Sequence, residues 1–410
     1  MSIVQHETAK GPVNGLCDRA FRGVLDAFIE NFEARDEVGA AVCISVNGQV
    51  VVDLWGGVRN KGGDPWDKDT LCVVFSSTKG AAALCAHMAV ERGQLDFDAP
   101  VSRIWPEFAQ AGKEGALVST MLDHTVGVPA LRDTLPDGAV YDYEGMCRRV
   151  AAEAPFWEPG TRTGYHAITF AWTVGEMVRR ASGRRLGRFF AEEVAGPLGI
   201  DFWIGLPEAQ ENRVARLIPA DPDKARDSRL ARAVRADPMS PTGRFILNGG
   251  GFNPNTRPGR AAEIGSANGV TNARGLAGLY APLANGGATD GVRLVGADAL
   301  ARMGRVSSAT HDDATLRIPT RFSLGFMKSI DNRALDNAED CSVVLSEPAF
   351  GHVGAGGSIG FADPECRMSF GYVMNKMRAG LLLNARGQSL VDAAYRALGY
   401  KSNASGSWVA

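Results

Sequence analysis

Ser76, Lys79, Tyr165 and the run His352-Val353-Gly354-Ala355 are the residues whose types and surroundings could carry covalent chemistry. Ser76 ends the apolar run Cys72-Val73-Val74-Phe75. Good helix formers follow at once, from Ala81 through Leu84, Met88 and Val90 to Gly93. The serine therefore belongs at or beside a helix N-cap, and Lys79, three residues on, shares its face. A serine hydroxyl is a poor nucleophile until a neighbour takes its proton. A partly desolvated lysine with a lowered pKa can take it. A helix start also supplies backbone N–H groups that stabilise an oxyanion on a nearby carbonyl. S-x-x-K alone is a weak signal, matched as well by a capping serine and a solvated charge.

Two further stretches raise it. Tyr165 follows the Pro159-Gly160 turn and precedes a helix, so its phenol sits on a loop edge that can face a cleft. Near an ammonium, a phenolate is stabilised and can pass protons. A packed tyrosine with a hydrogen-bonded tip is the plainer alternative. In Phe350-Gly351-His352-Val353-Gly354-Ala355-Gly356-Gly357-Ser358 the glycine density calls for close approach of another backbone or a ligand. A strand here offers its edge to a substrate, with the Ala355 N–H as second oxyanion donor.

The elements that must position these residues come from both ends of the chain. Gly15 to Asp36 reads as an amphipathic helix. Ala41–Val46 and Val50–Trp55 flank Asn47-Gly48, the strongest short hairpin signal, so the chain is expected to open helix–strand–strand. From Ser76 to about Leu283 the signal is mainly helical, with Thr169–Ser182, Leu186–Leu198 and Asn272–Leu283 the clearest cases. The long segment from Asp221 to Gly269, Asp227 within it, reads either as a lid or pocket wall or as a solvated loop. Strand signal returns around Leu324, Ile359 and Phe370–Met374, and a helix from Ser389 to Leu398 closes the chain.

Taken together, the three motifs resemble the serine β-lactamase and penicillin-binding protein superfamily, and most of all the family VIII carboxylesterases with the class C β-lactamase fold. The resemblance runs from Ser76–Lys79 through Leu122–Pro129 and Pro159–Tyr165 to His352-Val353-Gly354. It implies Ser76 as acyl-forming nucleophile, Lys79 as its base and Tyr165 as partner in proton transfer. It also implies an oxyanion hole from the N–H groups of Ser76 and Ala355, with His352 and Gly354 in the substrate-binding strand. The implied fold is α/β (α+β), an antiparallel sheet flanked by N- and C-terminal helices. An α/β domain of residues 1–75 plus 285–410 would enclose a mainly helical domain of residues 76–284, with the active site between them.

This chain departs from the family pattern in two places. The tyrosine motif of the β-lactamases reads Y-x-N, and here the third position is Ala167. The K-T-G strand motif is His352-Val353-Gly354, and a valine side chain cannot hydrogen-bond. Acyl-enzyme chemistry survives both changes, whereas a lactam carboxylate loses its anchor. An ester needs no such anchor.

Two similar patterns are set aside. Gly356-Gly357-Ser358-Ile359-Gly360 matches G-x-S-x-G, but none of the six histidines follows Ser358, as the α/β-hydrolase order demands. Ser266-Ala267-Asn268 resembles S-x-N and reads as turn and capping chemistry.

The bulk numbers are those of an ordinary globular protein. The 410 residues are 45% hydrophobic and 22% charged, with a net charge of −2, so nothing suggests a nucleic-acid footprint. No apolar run is long enough to span a bilayer, and the polar start lacks a signal-peptide core. Seven scattered cysteines without CxxC spacing suit free thiols in a cytoplasm. His311-Asp312-Asp313 has no partner cluster at metal spacing, so neither metal nor cofactor is expected. The expected partner is a small-molecule ester, with neither nucleic acid nor membrane. A β-lactamase, a D-amino-acid peptidase or acyltransferase, and a non-catalytic penicillin-recognising protein are the alternatives.

Overall fold

The computed structural model describes residues 1–226, 228–335, 340–380 and 382–410. Among them, ten strands join one antiparallel sheet. They are β1 (Ser2–Thr8), β2 (Gly11–Cys17), β3 (Gly39–Val46), β4 (Gln49–Gly57), β5 (Ser308–Thr310), β6 (Thr320–Phe322), β7 (Met327–Lys328), β8 (Phe350–Val353), β9 (Ile359–Asp363) and β10 (Met368–Met374). The spatial order is β1-β2-β4-β3-β10-β9-β8-β7-β6-β5. The two chain ends meet in the middle of the sheet, where Ile44 of β3 pairs with Phe370 of β10.

Strand alternation sends side chains to two cores. Val42, Ile44, Phe370 and Tyr372 face helices α1 (Arg22–Ala34) and α7 (Ala385–Ala397), together with Phe28, Phe32, Leu390 and Tyr395. Ala41, Cys43 and Val373 face the other core with Leu276 and Tyr280 of α6 (Ala273–Ala284). Gly371 lets α6 lie flat on the sheet, since a Cβ there would sit 2.3 Å from the Ala273 carbonyl oxygen. The same core continues through α2 (Thr78–Glu91), whose small Ala81, Ala82, Ala83 and Ala86 are fully buried, and α3 (Phe170–Ser182).

The start of the chain differs from the expected order. Gly15 and Leu16 belong to β2, and helix begins only at Arg19–Phe21, a 3-10 turn leading into α1. The chain thus opens strand–strand–helix. Leu324 sits in the turn between β6 and β7, where Gly325 takes a φ of +91°. The segment from 221 to 269 is more ordered than its composition suggests. It holds α4 (Arg229–Ala236) and α5 (Pro241–Leu247), capped by the side chains of Ser228 and Ser240 on the Ala231 and Gly243 N–H groups. Asp227 lies outside the described residues. No helix among the described residues is long and apolar enough to cross a membrane.

Candidate active site

Ser76 follows Phe75, which holds a φ of +44°, unusual for a bulky residue and a mark of a tightly determined turn. Ser77 is the N-cap of α2, so Ser76 sits one residue outside the helix, half-buried. Lys79, in the first turn, is fully buried, with Nζ 3.1 Å from Ser76 Oγ. Nζ also donates to the backbone carbonyls of Ala167 (2.7 Å) and Ser266 (3.0 Å). Burial holds its pKa well below the usual lysine value. A neutral amine has two N–H bonds and one lone pair, and carbonyl oxygens can only accept. The two carbonyls take both protons, and the lone pair remains for the Ser76 hydroxyl. The geometry therefore suits Lys79 as proton acceptor.

Tyr165 is buried and hydrogen-bonded to the Ser76 side chain, with its ring centroid 4.8 Å from Lys79 Nζ. Burial raises its pKa, an effect larger than the lowering by the Ser76 contact. Both shifts favour the uncharged forms, a phenol beside an amine. Its ring stacks on Phe322 at 5.9 Å and 11°, with His124 at 4.9 Å and His352 at 5.9 Å. These imidazoles are uncharged, since burial lowers the pKa of both, that of His352 to about 3.

The glycine-rich stretch forms β8 and the turn after it. Val353 and Ala355 line a cavity of about 470 Å³ together with Ser76 and Tyr165. His352 and Gly354, expected to contact substrate, are not among its lining residues. His352 Nδ1 lies 2.7 Å from the Val353 carbonyl oxygen and so carries the proton, while Nε2 is buried without a hydrogen-bond partner among the described residues. The position that the family fills with a lysine is thus uncharged. Gly354 donates its N–H to Ser358 O at 2.7 Å, and a Cβ on it would lie 2.1 Å from Val74 O. Its task is to let the strand pass the segment that leads into Ser76. Ser358 is buried, donating to Val74 O at 2.9 Å and lying 3.2 Å from Ser77 Oγ, which braces the same junction.

The rest of the cavity wall is apolar. Phe75 and Phe252 meet edge to face at 6.4 Å, and Leu230, Phe245 and Ile246 come from α4 and α5. No charged side chain lines the cavity among the described residues. The segment 221–269 is therefore pocket wall. The two carbonyls that hold Lys79 escape sequence reasoning, because every residue has a carbonyl. Ser266 belongs to a turn, and its backbone oxygen reaches Lys79. Asn268 fixes the turn by accepting from Ile264 N at 3.0 Å and donating to Gly259 O at 3.0 Å.

Comparison with known proteins agrees with this geometry. The family described as Beta-lactamase matches residues 25–393. The chain is 34% identical to the Esterase/beta-lactamase LipL of Mycobacterium tuberculosis (strain ATCC 25618 / H37Rv), over 90% of this chain and 85% of that protein. A crystal structure of a family VIII carboxylesterase is 39% identical, with a TM-score of 0.80 over 94% of this chain and 99% of that one. A penicillin-binding protein homologue from Caulobacter crescentus is 33% identical, with a TM-score of 0.84 over the same shares.

Proposed function

The chain belongs to the beta-lactamase family, and from that footing we propose that it is a carboxylesterase cleaving small, uncharged esters through an acyl-enzyme on Ser76. The observation that carries this reading is the lone pair of Lys79, left for Ser76 by the two carbonyls that occupy its N–H bonds. Ser76 Oγ attacks the ester carbonyl as its proton passes to Nζ. The oxyanion is held by the N–H groups of Ser76 and Ala355. Collapse breaks the bond to the alcohol, whose oxygen takes the Lys79 proton by way of Tyr165. Water then attacks the acyl group, gives a proton back along the same pair, and releases acid and free serine.

The uncharged wall supports a neutral acyl group. It also counts against the alternatives that bind a carboxylate or an ammonium, namely lactams and D-amino-acid peptides, since an unpaired charge there would be desolvated without compensation. A cytoplasmic location suits the buried thiols Cys43, Cys72 and Cys85. The test is turnover of p-nitrophenyl butyrate and of nitrocefin by the wild type and by Ser76→Ala. Ester turnover should fall by at least about a thousandfold in the variant, the scale of losing a nucleophile. The name of the Mycobacterium relative joins esterase and β-lactamase, so nitrocefin turnover outpacing the ester would favour that second reading. Stoichiometric acylation without turnover would make the protein a penicillin-recognising binder instead.

A further inference from the structure

The loop carrying Tyr165 has no regular structure from 161 to 166, yet its phenol must meet Ser76 Oγ to within a fraction of an ångström. The ring is held by Phe322 and His124, and the backbone is held by a residue 148 positions away. Asp313 is fully buried, and both its oxygens accept from the Tyr165 N–H, at 3.0 and 3.1 Å. Its Oδ1 also accepts from the N–H groups of Thr315 and Leu316, each at 2.8 Å, and its Oδ2 from the Thr320 hydroxyl at 3.1 Å. The same turn donates from Ala314 N to Thr163 O at 3.1 Å, a second tie to the tyrosine loop. It touches the cavity as well, because Leu316 lines it and the Thr315 carbonyl accepts from Thr242 of α5 at 2.8 Å.

We infer that Asp313 is the positioning residue that sets Tyr165 to protonate the leaving alcohol. This inference rests on the role proposed for Tyr165. Asp313 itself does not touch the cavity, and it acts through one backbone N–H. An amide in its place loses the charge and, at the Oδ2 position, turns an NH₂ toward the Tyr165 N–H, which cannot accept it, while the Thr320 hydroxyl must reverse from donor to acceptor. The loop would then relax and the phenol would drift from the leaving oxygen.

Leaving groups separate this role from plain structural support. A p-nitrophenolate departs without a proton, whereas an alkoxide needs one. The experiment compares kcat/KM, which ends at acylation, for ethyl butyrate and p-nitrophenyl butyrate, which share one acyl group. Asp313→Asn should lose about 30-fold or more on the ethyl ester and no more than about 3-fold on the activated one, a part of the full effect of a general acid. Equal losses on both esters, or no loss on either, would overturn the inference. Tyr165→Phe serves as reference. If it shows the bias and Asp313→Asn does not, the clamp is wrong. If Tyr165→Phe shows no bias either, the proton role of Tyr165 fails and takes this inference with it. Should Asp313→Asn not fold, Thr320→Val removes a single donor to the carboxylate and should show the same bias at about 3-fold, with equal losses again overturning it.

Discussion

A lysine without its charge is the residue on which the site turns. Burial holds the Lys79 pKa well below the usual value with no carboxylate to offset it, and its hydrogen bonds run to two carbonyls and a hydroxyl. Neutrality has a measurable cost in stability. In the unfolded chain a lysine keeps its proton up to about pH 10.4, whereas in the folded chain it has lost it at a lower pH. Between those two values the unfolded state binds one more proton, so folding becomes more favourable as pH rises. Lys79→Met removes the titration. The stability of the wild type relative to this variant should therefore grow with pH, by at most about 1.4 kcal/mol per pH unit, over the interval between the lowered folded value and the unfolded one. Denaturant melts at several pH values check this, and a flat difference would mean that Lys79 is charged in the folded protein. The pairing of Ser76 with Lys79 was legible because helical spacing is fixed by geometry. The Asp313 clamp was not, since its partner is a backbone N–H with no side-chain signature.

At the level of elements, α4 and α5 set the room that the proposed reaction leaves for an acyl group. They reach the cavity through Leu230, Phe245 and Ile246, and Phe252 beyond them closes on Phe75. Phe252→Ala removes a ring from that wall without touching the catalytic groups. The ratio of kcat/KM for p-nitrophenyl octanoate over butyrate should rise about 10-fold, within the range of one or two methylene contacts. An unchanged ratio would place the acyl chain elsewhere. The composition of this segment, rich in Pro, Gly and Arg, hid its helices, because capped turns of one or two rounds carry too few residues to show a period. The N-terminal pair was hidden for another reason. Strand β1 is an edge with nearly every residue exposed, Ile3 among them at 80%, so both faces see water and no alternation is written into the sequence.

For the molecule as a whole, a buried ion pair joins the last helix to the central strands. Glu37 and Arg386 are both inaccessible to solvent and meet at 2.8 Å, and the Tyr372 hydroxyl of β10 donates to the same carboxylate. Glu37→Gln leaves the guanidinium buried without its counter-charge and should destabilise the fold by about 3–5 kcal/mol, read from the denaturation midpoint. A loss below about 1 kcal/mol would show that water reaches Arg386. The two-ended layout was readable from strand signals at both termini.

That layout also governs when the protein can become whole during its synthesis. Strand β3 is made early, and its neighbour β10 follows more than three hundred residues later. At about 5–20 residues per second, the ribosome takes on the order of tens of seconds to supply it. Through that interval β3 offers an uncovered edge of Ala, Val and Ile to any other nascent chain, until β10 arrives to cover it.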